Sequence, residues 1–177
     1  MTISLAIDTS TSRTIVGLFD GEKVLFESFA EGATDHGRAV SDLVAQALTD
    51  NPSPDCVVVG MGPGPFTGLR VGIAFARTFA LSRDIPVIGV CSLDAIDTGK
   101  SEYTVAIDAR RKEIYWARYK DGVRIEGPSV SKPNEVEDFI IDLYPSVSRL
   151  ALLSRSQNEA EPFYLRRPDA VPTAERS

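Results

Sequence analysis

Histidine, cysteine and tryptophan are scarce: the 177 residues hold one, two and one of them. With His36 as the single histidine, a helix-borne zinc protease, which needs a histidine pair, is excluded. No Gly-x-Ser-x-Gly elbow exists to activate a serine. Cys56 and Cys91 both lie in apolar, strand-like runs and read as buried free thiols rather than a disulfide framework. No segment approaches the ~20 consecutive apolar residues of a membrane-spanning helix. The N-terminus lacks a basic region, and Asp8 interrupts its apolar stretch, so no signal peptide is expected and a cytoplasmic location is. Positive charge is also in deficit. A net charge of −6 argues against a nucleic-acid footprint over the whole surface. A local basic turn, Arg110-Arg111-Lys112, remains; it reads as a solvated hairpin tip or as a phosphate contact within a larger complex.

What is present begins with Gly-Met-Gly-Pro-Gly-Pro-Phe-Thr-Gly-Leu-Arg-Val-Gly over 60–72. It joins an apolar strand to a long apolar helix, an order that invites a phosphate-cradle reading. The turn has no lysine for a P-loop and lacks the spacing of a dinucleotide fingerprint, while Pro63 and Pro65 each remove a backbone N–H. It is therefore expected to be a rigid launching turn, with Gly62, Gly64, Thr67 and Gly68 as its structural residues.

Apolar patterning predicts strands over 3–7, 14–19 and 24–29, with Asp20-Gly21 as a hairpin turn. A helix is expected from an Asp35 cap to about Thr49, then a strand over 56–59, a helix over 66–82 and a strand over 87–90. The second half echoes the first. Ala6-Ile7-Asp8 recurs as Ala106-Ile107-Asp108, and each copy runs on to an Asp-Gly pair. This points to an α/β protein of two lobes on one plan, over 1–100 and 101–167, the second reduced, with 168–177 a disordered tail. A short helix is expected over 136–143, from the spacing of Val136, Phe139, Ile140 and Leu143, and a strand over 150–153. Phe163-Tyr164-Leu165-Arg166 is expected to pack back as a closing strand.

Asp8-Thr9-Ser10, the glycine-rich segment, Ile85-Pro86-Val87-Ile88-Gly89-Val90, Ile107-Asp108-Ala109-Arg110 and Pro162-Phe163-Tyr164-Leu165-Arg166 together resemble the bacterial TsaB (YeaZ) family. The resemblance implies an actin-like (ribonuclease-H-like) ATPase fold. It implies a part in making threonylcarbamoyladenosine at tRNA position 37, with a TsaD-type catalytic subunit and a TsaE-type ATPase as partners, and tRNA reached only through the complex. Two departures stand out. Pro65 replaces the family's usual serine, and the stretch between about Gly122 and Glu161 is much shorter than usual.

In actin-like kinases two acidic strand ends face each other and organise metal-bound phosphates. Asp8 and Asp108 would fill those places, but neither is followed by the glycines that let backbone N–H groups reach phosphate, and no Gly-Gly pair occurs. Asp8, Thr9, Ser10 and Asp108 are therefore expected to mark a degenerate nucleotide cleft, its acids capping local turns. No metal, cofactor or catalytic residue is expected. A divergent sugar- or acetate-kinase-like ATPase using Asp8 and Asp108 is the rival, and a small-ligand module in the interlobe cleft a third reading. His36 is expected to be solvated at a helix start.

The 66–82 helix is apolar nearly all round. Leu69, Ile73, Ala76 and Ala80 make one face; Val71, Phe75, Thr78 and Phe79 make another. One sheet needs only one such face, so the second is expected to meet a protein partner. Ala39, Leu43 and Ala47 of the preceding helix join Val71, Phe75, Thr78 and Phe79 in that expected interface. Without the catalytic partner the same surface is expected to form a homodimer.

Overall fold

The computed structural model describes residues 2–32 and 34–165. Its first sheet has five strands: β1 Ile3–Asp8, β2 Arg13–Asp20, β3 Lys23–Glu31, β4 Cys56–Gly60 and β5 Val87–Val90, in the order β3-β2-β1-β4-β5. β1 to β3 form an antiparallel meander, and β1, β4 and β5 run parallel. Both faces of β1 are covered, which explains its unbroken apolar run. Leu5 and Ile7 face α1, His36–Leu48, and α2, Phe66–Leu81, through Val40, Leu43, Val44, Leu69, Ile73 and Ala76. The periodicity of the first half thus predicts its elements and their order.

The second sheet repeats the plan with one strand fewer. β6 Glu102–Asp108, β7 Ile114–Lys120, β8 Val123–Ser131 and β9 Phe139–Ile140 lie in the order β8-β7-β6-β9. β9 pairs parallel with β6, as β4 does with β1. The echo seen in the sequence is thus a structural repeat, with β1 and β6 both ending in aspartate.

Three local expectations fail. No helix forms over 136–143: a 3-10 turn, Pro133–Glu135, leads into β9. Asp138 and Asp142, on either side of it, have φ of 48° and 67°, values that interrupt a helix. The open edge of β6 takes the segment instead. The 150–153 segment is a helix, α3 Val147–Leu153, opened by Ser146, whose side chain accepts the Arg149 N–H. Val147, Leu150 and Ala151 sit on one helical face and cover Ala6, Ile15, Phe19 and Val58 on the back of the first sheet. Its apolar positions follow the period of a helix, not of a strand. Phe163 does return, donating its N–H to the Met61 carbonyl, but residues 162–165 form no strand. Arg166 and the expected tail over 168–177 lie outside the described residues.

Cys56 and Cys91 are both free and buried. Burial pushes the Cys91 thiol up to about 12, which keeps it protonated and unreactive. Among the described residues no helix is long and apolar enough to cross a membrane.

Candidate functional site

Asp8 ends β1 with 0% of its surface exposed. One carboxylate oxygen accepts the Ser10 N–H at 2.8 Å and the Ser10 hydroxyl at 2.7 Å; the other accepts the Ser92 hydroxyl at 2.7 Å. Ser92 in turn accepts the Gly62 N–H at 3.1 Å. Burial raises the Asp8 pKa, and these hydrogen bonds oppose the shift in part. Thr9 donates to the Gly68 carbonyl at 2.8 Å and accepts the Gly72 N–H at 3.1 Å. The Asp8-Thr9-Ser10 turn is thus spent on bracing β1 against the glycine-rich segment and the start of α2. The same packing explains Gly64, where a Cβ would collide with the Ser10 backbone.

Asp108 is different. It is exposed at the end of β6 and accepts the Arg110 N–H at 2.9 Å. It lines a cleft of about 970 Å³ between the lobes, whereas Asp8, Thr9 and Ser10 do not. The two acids therefore do not face each other across an open site. Among the described residues no group of three His, Cys, Asp or Glu side chains is placed to hold a metal. The first lobe lines the cleft with His36 and Gly64–Gly68, the second with Ile107–Arg111 and Tyr115, and residues 141–144 with Tyr164 and Leu165 complete it. Thr67, expected to brace the turn, is exposed and faces this cleft. Arg110, Arg111 and Lys112 turn the chain with φ of 60°, 55° and 64°. This left-handed run is unusual for non-glycine residues.

His36 is not the solvated residue expected from its place at a helix start. It is 4% exposed, its Nδ1 bonded to the Thr14 hydroxyl at 2.8 Å and its ring packed against Gly68. The expected Asp35 cap makes no side-chain hydrogen bond to α1. A single histidine ahead of an amphipathic helix carries no local mark of this burial, because Thr14 and Gly68 reach it through the fold. Burial lowers the His36 pKa below its ordinary 6.5, while the Asp8 charge works the other way. The unfolded chain takes up this proton more readily. The stability His36 confers is therefore complete above pH 6.5 and declines as pH falls through 6.5 toward the folded value. The raised Asp8 pKa has the opposite slope above its ordinary 3.8. Urea midpoints of wild type and His36→Gln, compared at pH 7.5 and 5, isolate the histidine: wild type is expected to lose more stability on acidification.

The outer side of α2 forms a second feature. Val71, Phe75 and Phe79 are half-buried, Thr78 is exposed, and Leu81 is 83% exposed. The Phe75 and Phe79 rings stack at 5.9 Å, and the Arg83 guanidinium lies 3.9 Å over Phe79. Ala39 of α1 is half-buried. Leu43 and Ala47, expected to share this interface, are instead buried in the chain's own core at 6% and 0% exposure, because the apolar stripe of α1 turns inward to the first sheet. Ala39, Val71, Phe75, Thr78 and Phe79 keep a share of exposed surface.

The family model for TsaD, tRNA N6-adenosine threonylcarbamoyltransferase, matches residues 30–170. An uncharacterized protein of Mycobacterium leprae is 41% identical over 204 positions, covering 97% of this chain and 57% of that protein. Those 204 positions exceed the 177 residues present here, so the relative carries residues without a counterpart in this chain. The tRNA threonylcarbamoyladenosine biosynthesis protein TsaB of Escherichia coli is 33% identical over 66% of this chain and 54% of its own length. The chain thus spans about half the length of these two relatives. A crystal structure from Pseudomonas aeruginosa, described as similar to peptidase YEAZ, superposes with a TM-score of 0.81 at 24% identity, covering 94% of this chain and all of that one. Together with the two repeated sheets, these matches make the chain a member of the TsaB/YeaZ family with an actin-like, ribonuclease-H-like ATPase fold.

Proposed function

We propose that this chain is a noncatalytic scaffold in threonylcarbamoyladenosine modification of tRNA position 37, pairing through the outer side of α2 with a TsaD-type catalytic subunit. The observation that carries the reading is the row of part-exposed apolar side chains Val71, Phe75 and Phe79 on one side of α2, with Leu81, 83% exposed, at the end of the same helix. Apolar side chains left open on one helix favour burial against a second protein. The pairing role of the family resemblance agrees with this. A TsaE-type ATPase joins the pair, tRNA is met through the assembly, and the chain alone forms a homodimer on the same surface. The closed state of Asp8 counts against the kinase-like alternative. Asp8 is 0% exposed and does not line the cleft, and both its oxygens already accept hydrogen bonds from Ser10 and Ser92, so it is not presented to a cleft ligand.

Leu81→Asp and Phe75→Asp test the reading. Leu81 makes the cleaner case, since its exposure removes most of the folding cost. Each change places a charge in an apolar contact and is expected to weaken pairing with the TsaD-type subunit roughly thirtyfold or more, as loss of an interface hot spot does. Sedimentation of the mixed proteins reads pairing, and circular dichroism checks the fold. Unchanged pairing by both folded variants would contradict the scaffold surface.

A further inference from the structure

We propose that the first turn of α2, together with His36, forms a binding site for a phosphate group at the cleft. The first α-helical hydrogen bond of α2 runs from the Leu69 N–H to the Pro65 carbonyl at 3.0 Å. The N–H groups of Phe66, Thr67 and Gly68 precede it and have no hydrogen-bond acceptor among the described residues. No side chain caps this end and no acidic residue lies in the first turn, so the positive end of this 16-residue helix has no counter-charge within the helix itself. Gly64 to Gly68 line the cleft, which sets these donors at its wall.

His36 supplies an independent observation. Its side chain is buried to within 4% of its surface, yet it lines the same cleft. Its Nδ1 is held by Thr14 at 2.8 Å, while its Nε2 makes no hydrogen bond among the described residues and stands against Gly68. The Thr14 hydroxyl is itself fully buried and makes no other hydrogen bond among the described residues. It satisfies its proton by donating to Nδ1, which leaves the imidazole proton on Nε2. An N–H donor on an otherwise buried side chain thus opens to the cleft beside the unsatisfied amides of α2. This combination suits a phosphate oxygen. The charged residues of the cleft do not create the preference, since Asp108 and Asp142 line it along with Arg110 and Arg111. The helix end and His36 do. The glycine-rich turn is therefore no cradle in itself, as its prolines indicate; the donors belong to the helix that it launches.

The phosphate can come from a small phosphorylated molecule or from an RNA backbone. The site depends on neither the partner surface nor the tRNA assignment, so its test stands apart from theirs. Amide and imidazole NMR signals are followed while inorganic phosphate, and separately a short single-stranded RNA, is added to the full chain. Saturable shifts centred on Thr67, Gly68 and His36 are expected. His36→Asn keeps a partner near the Nδ1 position for Thr14 but removes the Nε2 donor, and is expected to weaken binding about tenfold or more. His36→Gln returns a donor near Nε2 and is expected to restore part of it. Phe66→Pro is a second probe. It deletes one open N–H at the first helical position, where proline is tolerated and where Pro65, with ψ 127°, already has the extended backbone required. It too is expected to weaken binding about tenfold. RNA binding more tightly than phosphate at these residues would identify the backbone as the source; phosphate binding alone would identify a small molecule. Binding that both His36→Asn and Phe66→Pro leave intact, shifts scattered away from α2, or no binding of either probe overturns the proposal.

Discussion

Gly60→Ala is expected to abolish cooperative folding or to destabilise the protein by about 4 kcal/mol or more, near the upper end for a point substitution. Gly60 ends β4 opposite Val90 of β5. A Cβ there would overlap the Asp8 carboxylate and meet the Ser92 hydroxyl at 2.6 Å. Neither neighbour can step aside cheaply. Asp8 is fixed by three hydrogen bonds from Ser10 and Ser92, and Ser92 also holds the Gly62 N–H. Evicting the carboxylate would break a buried polar network and leave its donors unsatisfied. Urea denaturation should show a midpoint lower by about 2 M, given a slope of roughly 2 kcal/mol/M for a protein of this size. Two controls identify the cause. Gly60→Ala combined with Asp8→Ala removes the overlapping group and should recover part of the loss. Gly37→Ala, in the exposed first turn of α1 where an added Cβ would meet only Val71 Cγ1 in ordinary contact at 3.9 Å, should instead stabilise by up to about 1 kcal/mol. If Gly60→Ala unfolds at the wild-type urea concentration, the bracing role assigned to Asp8 is wrong.

The second large effect is expected at Asp94, where the lobes are tied together. Asp94 lies in the 3-10 turn Ser92–Ala95 that follows β5. Its carboxylate accepts the Tyr119 hydroxyl at 2.7 Å and pairs with Arg124 at 3.5 Å, so it reaches both β7 and β8. The side chains of Asp94 and Arg124 are 6% and 21% exposed, and Tyr119 is 1% exposed. Arg124 also donates to the Cys91 sulfur at 3.3 Å and lies 3.8 Å from Glu159. Burial, followed by the Asp94 charge, raises the Tyr119 pKa, so the phenol keeps its proton and remains a donor. Asp94→Ala strands a buried hydroxyl and removes the nearest carboxylate from a largely buried guanidinium, an expected loss of about 3–5 kcal/mol. Asp94→Asn retains an acceptor for Tyr119 and should cost less. Tyr119→Phe should cost about 1 kcal/mol alone and close to nothing in the Asp94→Ala background, since the bond it removes is already gone. Hydrogen exchange gives the location. β6 to β8 amides should exchange faster in Asp94→Ala, while those of β1 and β4 change less, because the second sheet depends on this contact. Uniform acceleration through both sheets would show that the cluster does not join them in this way.

The same dependence on distant partners separates what could be read early from what could not. Ala6-Ile7-Asp8 and Ala106-Ile107-Asp108 mark equivalent strands because a buried central strand needs apolar residues on both faces wherever it occurs. The inner side of α2 was legible from Leu69, Ile73, Ala76 and Ala80 for a similar reason. The segment containing Phe139 and Ile140 was not, since its helical spacing competes with pairing at an open strand edge that the segment itself does not contain. Leu43 and Ala47 face the chain's own core rather than a partner, which the pattern does not reveal, because a periodic stripe shows that a helix has an apolar side, but not which protein covers it.

By itself the sequence determined the alternation of strands and helices in the first half, the internal repeat, the family, and the chemistries for which residues are missing. Those follow from local periodicity and from the residue inventory. Tertiary structure alone decided the fate of each polar group. Ser92 meets Asp8 across 84 positions and Thr9 meets Gly68 across 59, so an acid at a strand end became a brace. Thr14 and Gly68 enclosed His36 and left one ring nitrogen at the cleft. A polar side chain acquires its role from the donors and acceptors that folding brings within about 3 Å, and these lie too far along the chain for local pattern to reveal.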